Sequence, residues 1–383
     1  MKPRLYLTAA ALALAAILTA CSSSPNAAPS ATSSGTASAS QAAAASSGVA
    51  QARQRVAAAE KDPTSVGVTE PVGKPIPKGK TIAFMECGVP TCTSYASILK
   101  PAVQALGWKF EVIPAGISPE QVASAWATVA RMLPSAVIGI GYPRTIFQTS
   151  LGVLQAHHIP VVECCDSDTA GNGILYVAGN PAQVAPEGTL MADWIIADTN
   201  GQAHALFVDD KDYPVVGAAL TAFQAEMARL CPACTTAVYE AQTADIGTSL
   251  PSQLVGYLRA HPDINYLANG VDSMATGLPA ALASAGLTGK VKFIGQTGDP
   301  LNKNYTAEGI QAADVPFAAY ESLYRLVDIL ARYFAGSTAD TQPTPLPIHI
   351  YTKQNLQGTN LNAILPLVPN LVSQYHMLWG LSS

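Results

Sequence analysis

Short β-branched runs alternate with helix-length segments along most of this chain, and the same rhythm occurs twice. TIAFME (81–86), WKFEVIP (108–114), SAVIGIG (135–141) and IPVVEC (159–164) read as buried strands, with ILYVAG (174–179) as one more. Between them YASILKPAVQALG, PEQVASAWATVARML and TIFQTSLGVLQAHH carry apolar residues at helical spacing. The pattern restarts at HALFVDD (204–210) and continues through TTAVYEA (235–241), INYLANG (264–270), KVKFIGQ (290–296) and GIQAADV (309–315). Helices are expected at Val215–Arg229, Pro251–His261, Met274–Ala285 and Phe317–Phe334. Strand–helix alternation builds parallel sheets covered on both faces, so two series predict an α/β fold of two doubly wound lobes. Ligands of such sheets sit beyond the carboxyl ends of the strands, which places a site in the cleft between the lobes. On position alone, Tyr142, Asp210 and Tyr213 lie at strand ends and are candidate cleft liners.

The N-terminus sets the compartment. Lys2 and Arg4 precede an uncharged apolar run from Leu5 to Leu18, which is short for a membrane span and has the layout of a secretory signal. The run ends in Leu18-Thr19-Ala20-Cys21, which looks like the lipobox of bacterial lipoproteins, with Cys21 the lipidated residue. Residues 1–20 are read as the signal peptide. Residues 21–73, rich in Ala, Ser, Thr, Pro and Gly, are read as the lipidated cysteine and a disordered tether. Val49–Lys61 is a marginal helix within it. Removing residues 1–20 takes the formal charge from −5 to about −7, which argues against a nucleic-acid partner. The expectation is an exported monomer held by its lipid to the outer face of the cytoplasmic membrane. Residues 74–190 should form lobe 1, which also receives 316–343 and C-terminal segments; 200–314 should form lobe 2. Residues 344–383 should supply a hinge crossing, with a strand at Ile348–Thr352, and an end segment packed through Tyr375, Leu378 and Trp379.

Besides Cys21 there are six cysteines, an even number that in an exported protein points to disulfides before metal or catalysis. Cys231 and Cys234 follow a helix and precede a strand. A thiolate is disfavoured at a helix C-terminus, so a local disulfide is preferred to a redox motif. Cys87 and Cys92 are spaced to staple their own loop. Cys164 and Cys165, in VVECCDSD, are read as a vicinal disulfide, a free pair, or partners for Cys87 or Cys92. His157 and His158 lie at the opposite end of a strand from these cysteines, about 17–20 Å away, so no shared metal is expected. No phosphate-binding GxxxxGK[ST] loop and no GxSxG elbow occurs. The reading is a non-enzyme without cofactor or metal.

GKTIAFMECGVP, HHIPVVECCDSD, ANGVDSMATGLPAAL, GKVKFIGQTGD and GIQAADVPFAAYESLYRLVDIL occur in that order across residues 74–351. With them the chain resembles the type I solute-binding proteins of bacterial importers, near the ribose- and galactose-binding group. The resemblance implies three crossings between lobes, near Pro181–Ala203, Ala313–Pro316 and Thr344–Thr352, and closure around a solute by hinge motion. It places Glu86 at the cleft mouth beside Pro90, where Thr91 and Cys92 replace the aromatic residues sugar binders often carry. It matches the acid after the fourth strand to Asp166, or to Cys165 with a one-residue shift. It also carries Asp272, Thr297 and Asp314 onto ligand-contacting positions, although Asp272 equally suits a helix cap. The arginine that often grips sugars is replaced by Gly217. A small-molecule solute, a sugar or sugar-like compound, and the permease of an ABC importer are the implied partners. A membrane sensor kinase is the alternative partner, and an extracellular thiol enzyme a distant third reading.

Overall fold

Ten strands form two five-stranded parallel sheets in the computed structural model, which describes residues 34–88, 90–211, 213–338 and 341–381. The expected signal peptide and Cys21 lie outside the described residues. In lobe 1 the strands are β1 (Thr81–Cys87), β2 (Lys109–Gly116), β3 (Ala136–Ile140), β4 (Val161–Cys164) and β5 (Ile174–Ala178), in the order β2-β1-β3-β4-β5. Lobe 2 repeats that order as β7-β6-β8-β9-β10, from β6 (His204–Asp210), β7 (Thr235–Ala241), β8 (Tyr266–Asn269), β9 (Lys292–Gln296) and β10 (Ala313–Val315). The two doubly wound lobes predicted from the alternation are therefore present.

Alternation along each strand divides the core. Ile82 and Phe84 face one layer of lobe 1, containing α2 (Pro90–Ala105), while Ala83 and Met85 face α3 (Pro119–Met132) on the other. Helix α3 starts where SPEQ supplies a capping box: Ser118 accepts from Gln121 N–H and the Gln121 side chain turns back onto the cap. Helix α4 (Gln148–Ala156) completes that layer. The chain then leaves lobe 1 through Asn180, which caps α5 (Pro181–Asp198) in the same manner, with Pro181 at the first helical position.

Helix α5 belongs to lobe 2, where it lies along α6 (Val216–Leu230). A Cβ on Gly188 would come within 1.9 Å of Ala219 O, so glycine is what allows the two backbones to approach. Helices α7 (Leu250–Ala260) and α8 (Leu278–Ser284) cover the opposite face, packing Leu254, Leu258, Leu278 and Leu282 against Leu206 and Val208. Helix α9 (Pro300–Glu308) leads into β10, and α10 (Ala319–Ala335) returns to lobe 1 beside α2, β4 and β5. The expected strand Ile348–Thr352 is reduced to one antiparallel bridge. Asp314 N–H donates to Tyr351 O at 3.0 Å and Tyr351 N–H to Asp314 O at 2.7 Å, so two crossings are pinned to each other. Finally α11 (Leu371–Trp379) buries Tyr375, Leu378 and Trp379 against α10, where Trp379 Nε1 donates to Asp328 Oδ1 at 3.0 Å.

The expected tether is corrected over about its second half. Helix α1 (Ser34–Ala59) continues the chain, and Val49, Ala52, Val56 and Ala59 are buried, as are Val66, Val68 and Val72 beyond it. Counted alone, this stretch has too few large apolar groups to make a core. Its small residues are nonetheless spaced three or four apart, which suffices to fill a groove that other helices provide. The chain divides into two units, 1–41 and 42–383, and these buried residues all belong to the second.

Candidate functional site

The carboxyl ends of both sheets bring polar side chains toward the crossings. In lobe 2, Asp272 follows β8, Asp299 follows β9, and Asp314 lies in β10. Asp272 Oδ2 accepts the Asp299 N–H at 2.7 Å, which closes the N-terminus of α9. A Cβ on Gly295 would come within 2.1 Å of Asp272 Oδ1, so the carboxylate needs that glycine's vacant space. Burial pushes the Asp272 carboxyl well up, and the neighbouring Asp314 and Asp299 charges push it further. Asp314 is pushed up to about 7, again chiefly by burial. Lys303 is the nearby cation. Its ammonium donates to Asn360 O and Ala363 O of the C-terminal loop, and burial lowers its pKa against the pull of the three acids.

Asp272 and Asp314 are each 0% exposed. Asp272 Oδ2 closes the start of α9, and the hinge bridge is made by the Asp314 backbone, which leaves its carboxylate beside that of Asp272.

Nearer the crossings stands a pair the sequence did not single out. Glu187, in α5, is 3% exposed, and its Oε2 accepts Gln296 Nε2 at 2.5 Å. Burial raises its pKa to about 8, so at neutral pH the carboxyl is largely protonated. From lobe 1, Tyr95 reaches the same region. Its hydroxyl is raised by burial and then by the Asp299 and Glu187 charges of lobe 2, so these groups lie within electrostatic range of one another across the cleft. The detectable signal for Glu187 was an acid inside the apolar helix EGTLMADWII. Thr297, after β9, takes a φ of +123°, which β-branched residues strongly disfavour, and its buried Oγ1 has no hydrogen-bond partner.

Lobe 1 contributes the Cys164–Cys165 disulfide, with Cα atoms 3.7 Å apart and Cys165 at φ +67°. Cys165 N–H donates to Ala178 O, and a Cβ on neighbouring Gly179 would strike the Phe317 ring at 2.8 Å. The bridge therefore sits against the crossing, with an aromatic ring alongside. Cys87–Cys92 and Cys231–Cys234 are bonded as well, each within its own loop.

The remaining candidates are each tied to partners within their own lobe. Tyr142 donates from its hydroxyl to Gly116 O at 2.9 Å and is raised by burial and by Tyr213 of lobe 2. Asp210 is buried and accepts Thr243 Oγ1 at 3.0 Å. Glu86 accepts Thr93 Oγ1 at 2.7 Å and lines a cavity of about 630 Å³ in lobe 1. Asp166 is buried, and its Oδ1 accepts Asp168 N–H at 2.7 Å. Glu163, Asp166 and Asp168 gather oxygens within 4.8 Å of one another, and burial raises both Glu163 and Asp166. Arg144 is the counter-cation there. It donates from Nε to Asp168 Oδ1 at 2.8 Å and from its guanidinium to Thr169 O and Gly171 O. Burial makes the charged forms of Glu163 and Asp166 costly, and tyrosine, phenylalanine and disulfide surfaces lie beside the crossings.

A model of the periplasmic binding protein domain matches residues 93–338. The chain belongs to the periplasmic binding protein family. No curated protein matches it. The binding protein's fold is similar to that of an ABC transporter solute-binding protein from Agrobacterium vitis with bound allitol. Identity is 19% and the TM-score 0.62, over 73% of this chain and 97% of that one. A solute-binding protein from Burkholderia graminis in complex with D-arabinose is similar at 16% identity and a TM-score of 0.65, covering 74% and 98%. A glucose-galactose binding protein from Geobacillus stearothermophilus is similar at 19% identity and 0.62, covering 73% and 99%. The matched segment begins at residue 93, after β1 of the lobe 1 sheet, and helix α1 lies outside it.

Proposed function

We propose that this protein is a lipid-anchored, extracytoplasmic receptor that closes on a neutral, hydroxyl-rich solute and delivers it unchanged to an ABC importer. One observation carries the reading: polar groups at the carboxyl ends of two parallel sheets face a shared hinge. Tyr95, Tyr142 and the Cys164–Cys165 bridge come from one lobe, and Glu187, Gln296, Thr297, Asp299 and Tyr213 from the other. A buried Glu187 raised to about 8 suits a ligand that carries hydroxyls and no net charge, since an ionic ligand would need a desolvated counter-ion. Similarity to solute-binding proteins with bound allitol and D-arabinose, and to a glucose-galactose binding protein, supports a sugar or polyol. The lipobox-like Leu18-Thr19-Ala20-Cys21 supports the anchor.

A thermal-shift panel of pentoses, hexoses and alditols, with amino acids and dicarboxylates as charged controls, tests this. A true ligand at 100 times its Kd adds about 2.7 kcal/mol and raises Tm. Stabilisation by a charged control alone would overturn the neutral-solute reading. Silence from every compound, on folded protein, would overturn sugar or polyol binding.

A further inference from the structure

Residues 46–72 run from lobe 2, across the hinge, onto lobe 1. On lobe 2, α1 lies against α5 and α6. Gly48 is so close to α6 that a Cβ would come within 2.0 Å of Leu230 O, and Arg53 donates to Asn200 Oδ1 at 3.1 Å. Arg55 grips Asp193 of α5 through both carboxylate oxygens at 2.5 Å each, and it also reaches Glu226 of α6. Asp193 is 1% exposed, and an uncompensated carboxylate at that depth is costly. The helix ends at the crossings: Ile350 N–H donates to Ala59 O at 3.0 Å, and His349 Nε2 is 4.0 Å from Asp62 Oδ1.

The chain beyond belongs to lobe 1. Gln374 of α11 clamps it, accepting Val66 N–H at 3.1 Å and donating to Thr64 O at 2.9 Å. Val72 N–H donates to Leu378 O, and Arg332 of α10 donates to Glu70 O. Val66, Val68 and Val72 are buried in the same cluster.

We infer that residues 46–72 are a strap that acts as an additional crossing of the hinge, holding the lobes in register from outside the matched domain. The other crossings arise from the path of the chain between the two lobes, whereas this one is fixed by side chains at both ends and by two contacts at the bend. Its contacts stand apart from the receptor reading; only the consequence, that the strap limits how far the cleft swings, rests on that reading. A segment holding both lobes reduces the orientations open to the unliganded protein. Opening at one end must then loosen the other, because the coupling is reciprocal.

Amide hydrogen exchange on the full chain without ligand tests the strap. Gln374→Ala should raise exchange at 313–316 and 349–352 and, across the hinge, in 46–59, by at least about fivefold. Arg55→Met should raise it at 66–72. Should Arg55→Met fail to fold because Asp193 loses its partner, Arg53→Ala probes the same end from the exposed side. Changes confined to the mutated end, with the hinge amides unaltered, would overturn the strap. No ligand is needed, so this result is independent of whether a sugar binds.

Discussion

Thr297 is held where its own side chain resists. A β-branched residue at φ +123° costs about 1–3 kcal/mol of backbone strain, and strain of this kind persists where the surroundings enforce it. Here the Thr297 N–H is fixed to Val315 O, next to the crossing, while Oγ1 is left without a partner. Glycine would relieve the backbone and remove the hydroxyl. Thr297→Gly is therefore expected to raise Tm by about 1–4 °C, while the sugar or polyol found in the panel binds about tenfold more weakly. Calorimetric titration beside a thermal melt measures both. Equal affinity would mean that Thr297 serves the turn and not the ligand.

At the scale of elements, the α5–α6 pair is the tightest joint outside the sheets. Gly188 meets the Ala219 carbonyl so closely that a methyl group there would force two backbones apart. Gly188→Ala should destabilise by about 1–3 kcal/mol or more, as overpacked cores do. Gly256 in α7 has open space around its α-carbon, and Gly256→Ala should stabilise by about 1 kcal/mol. Chemical denaturation of both variants separates the two cases. The caps of α3 and α5 lie in SPEQ and NPAQ, where a side chain reaching its own backbone needs only sequence spacing. The docking of α1 was not, since its Ala and Val face has meaning only against a groove made by residues more than a hundred positions away.

For the molecule as a whole, buried acids set the response to pH. Burial raises Glu187 to about 8, and Asp314 and Glu321 to about 7 each. Each therefore keeps its proton in the folded state over a range where the unfolded chain has lost it. The unfolded state binds fewer protons there, so stability falls as pH rises from about 4.5 toward 8. Below that window both states are protonated and these groups are neutral in effect. Melting curves from pH 5 to 8 should show a declining Tm, and Glu187→Gln should flatten the slope. A Tm–pH slope unchanged in the variant would show that Glu187 is ionised when folded.

Two doubly wound lobes were written into the chain by local pattern. A buried parallel strand has to be a short apolar run and its crossover an amphipathic helix, and neither depends on distant partners. Polar residues at strand ends were legible for the same reason, since strand ends are positions along the chain. Which of them come together was decided in three dimensions. The Asp272 carboxylate closes a helix start beside the Asp314 carboxylate, and Glu187, from a helix that reads as plain core, pairs with Gln296. The strap belongs to this second kind. Arg55 bonds to residues 138 and 171 positions away, and contacts at that range exist only once both lobes have folded.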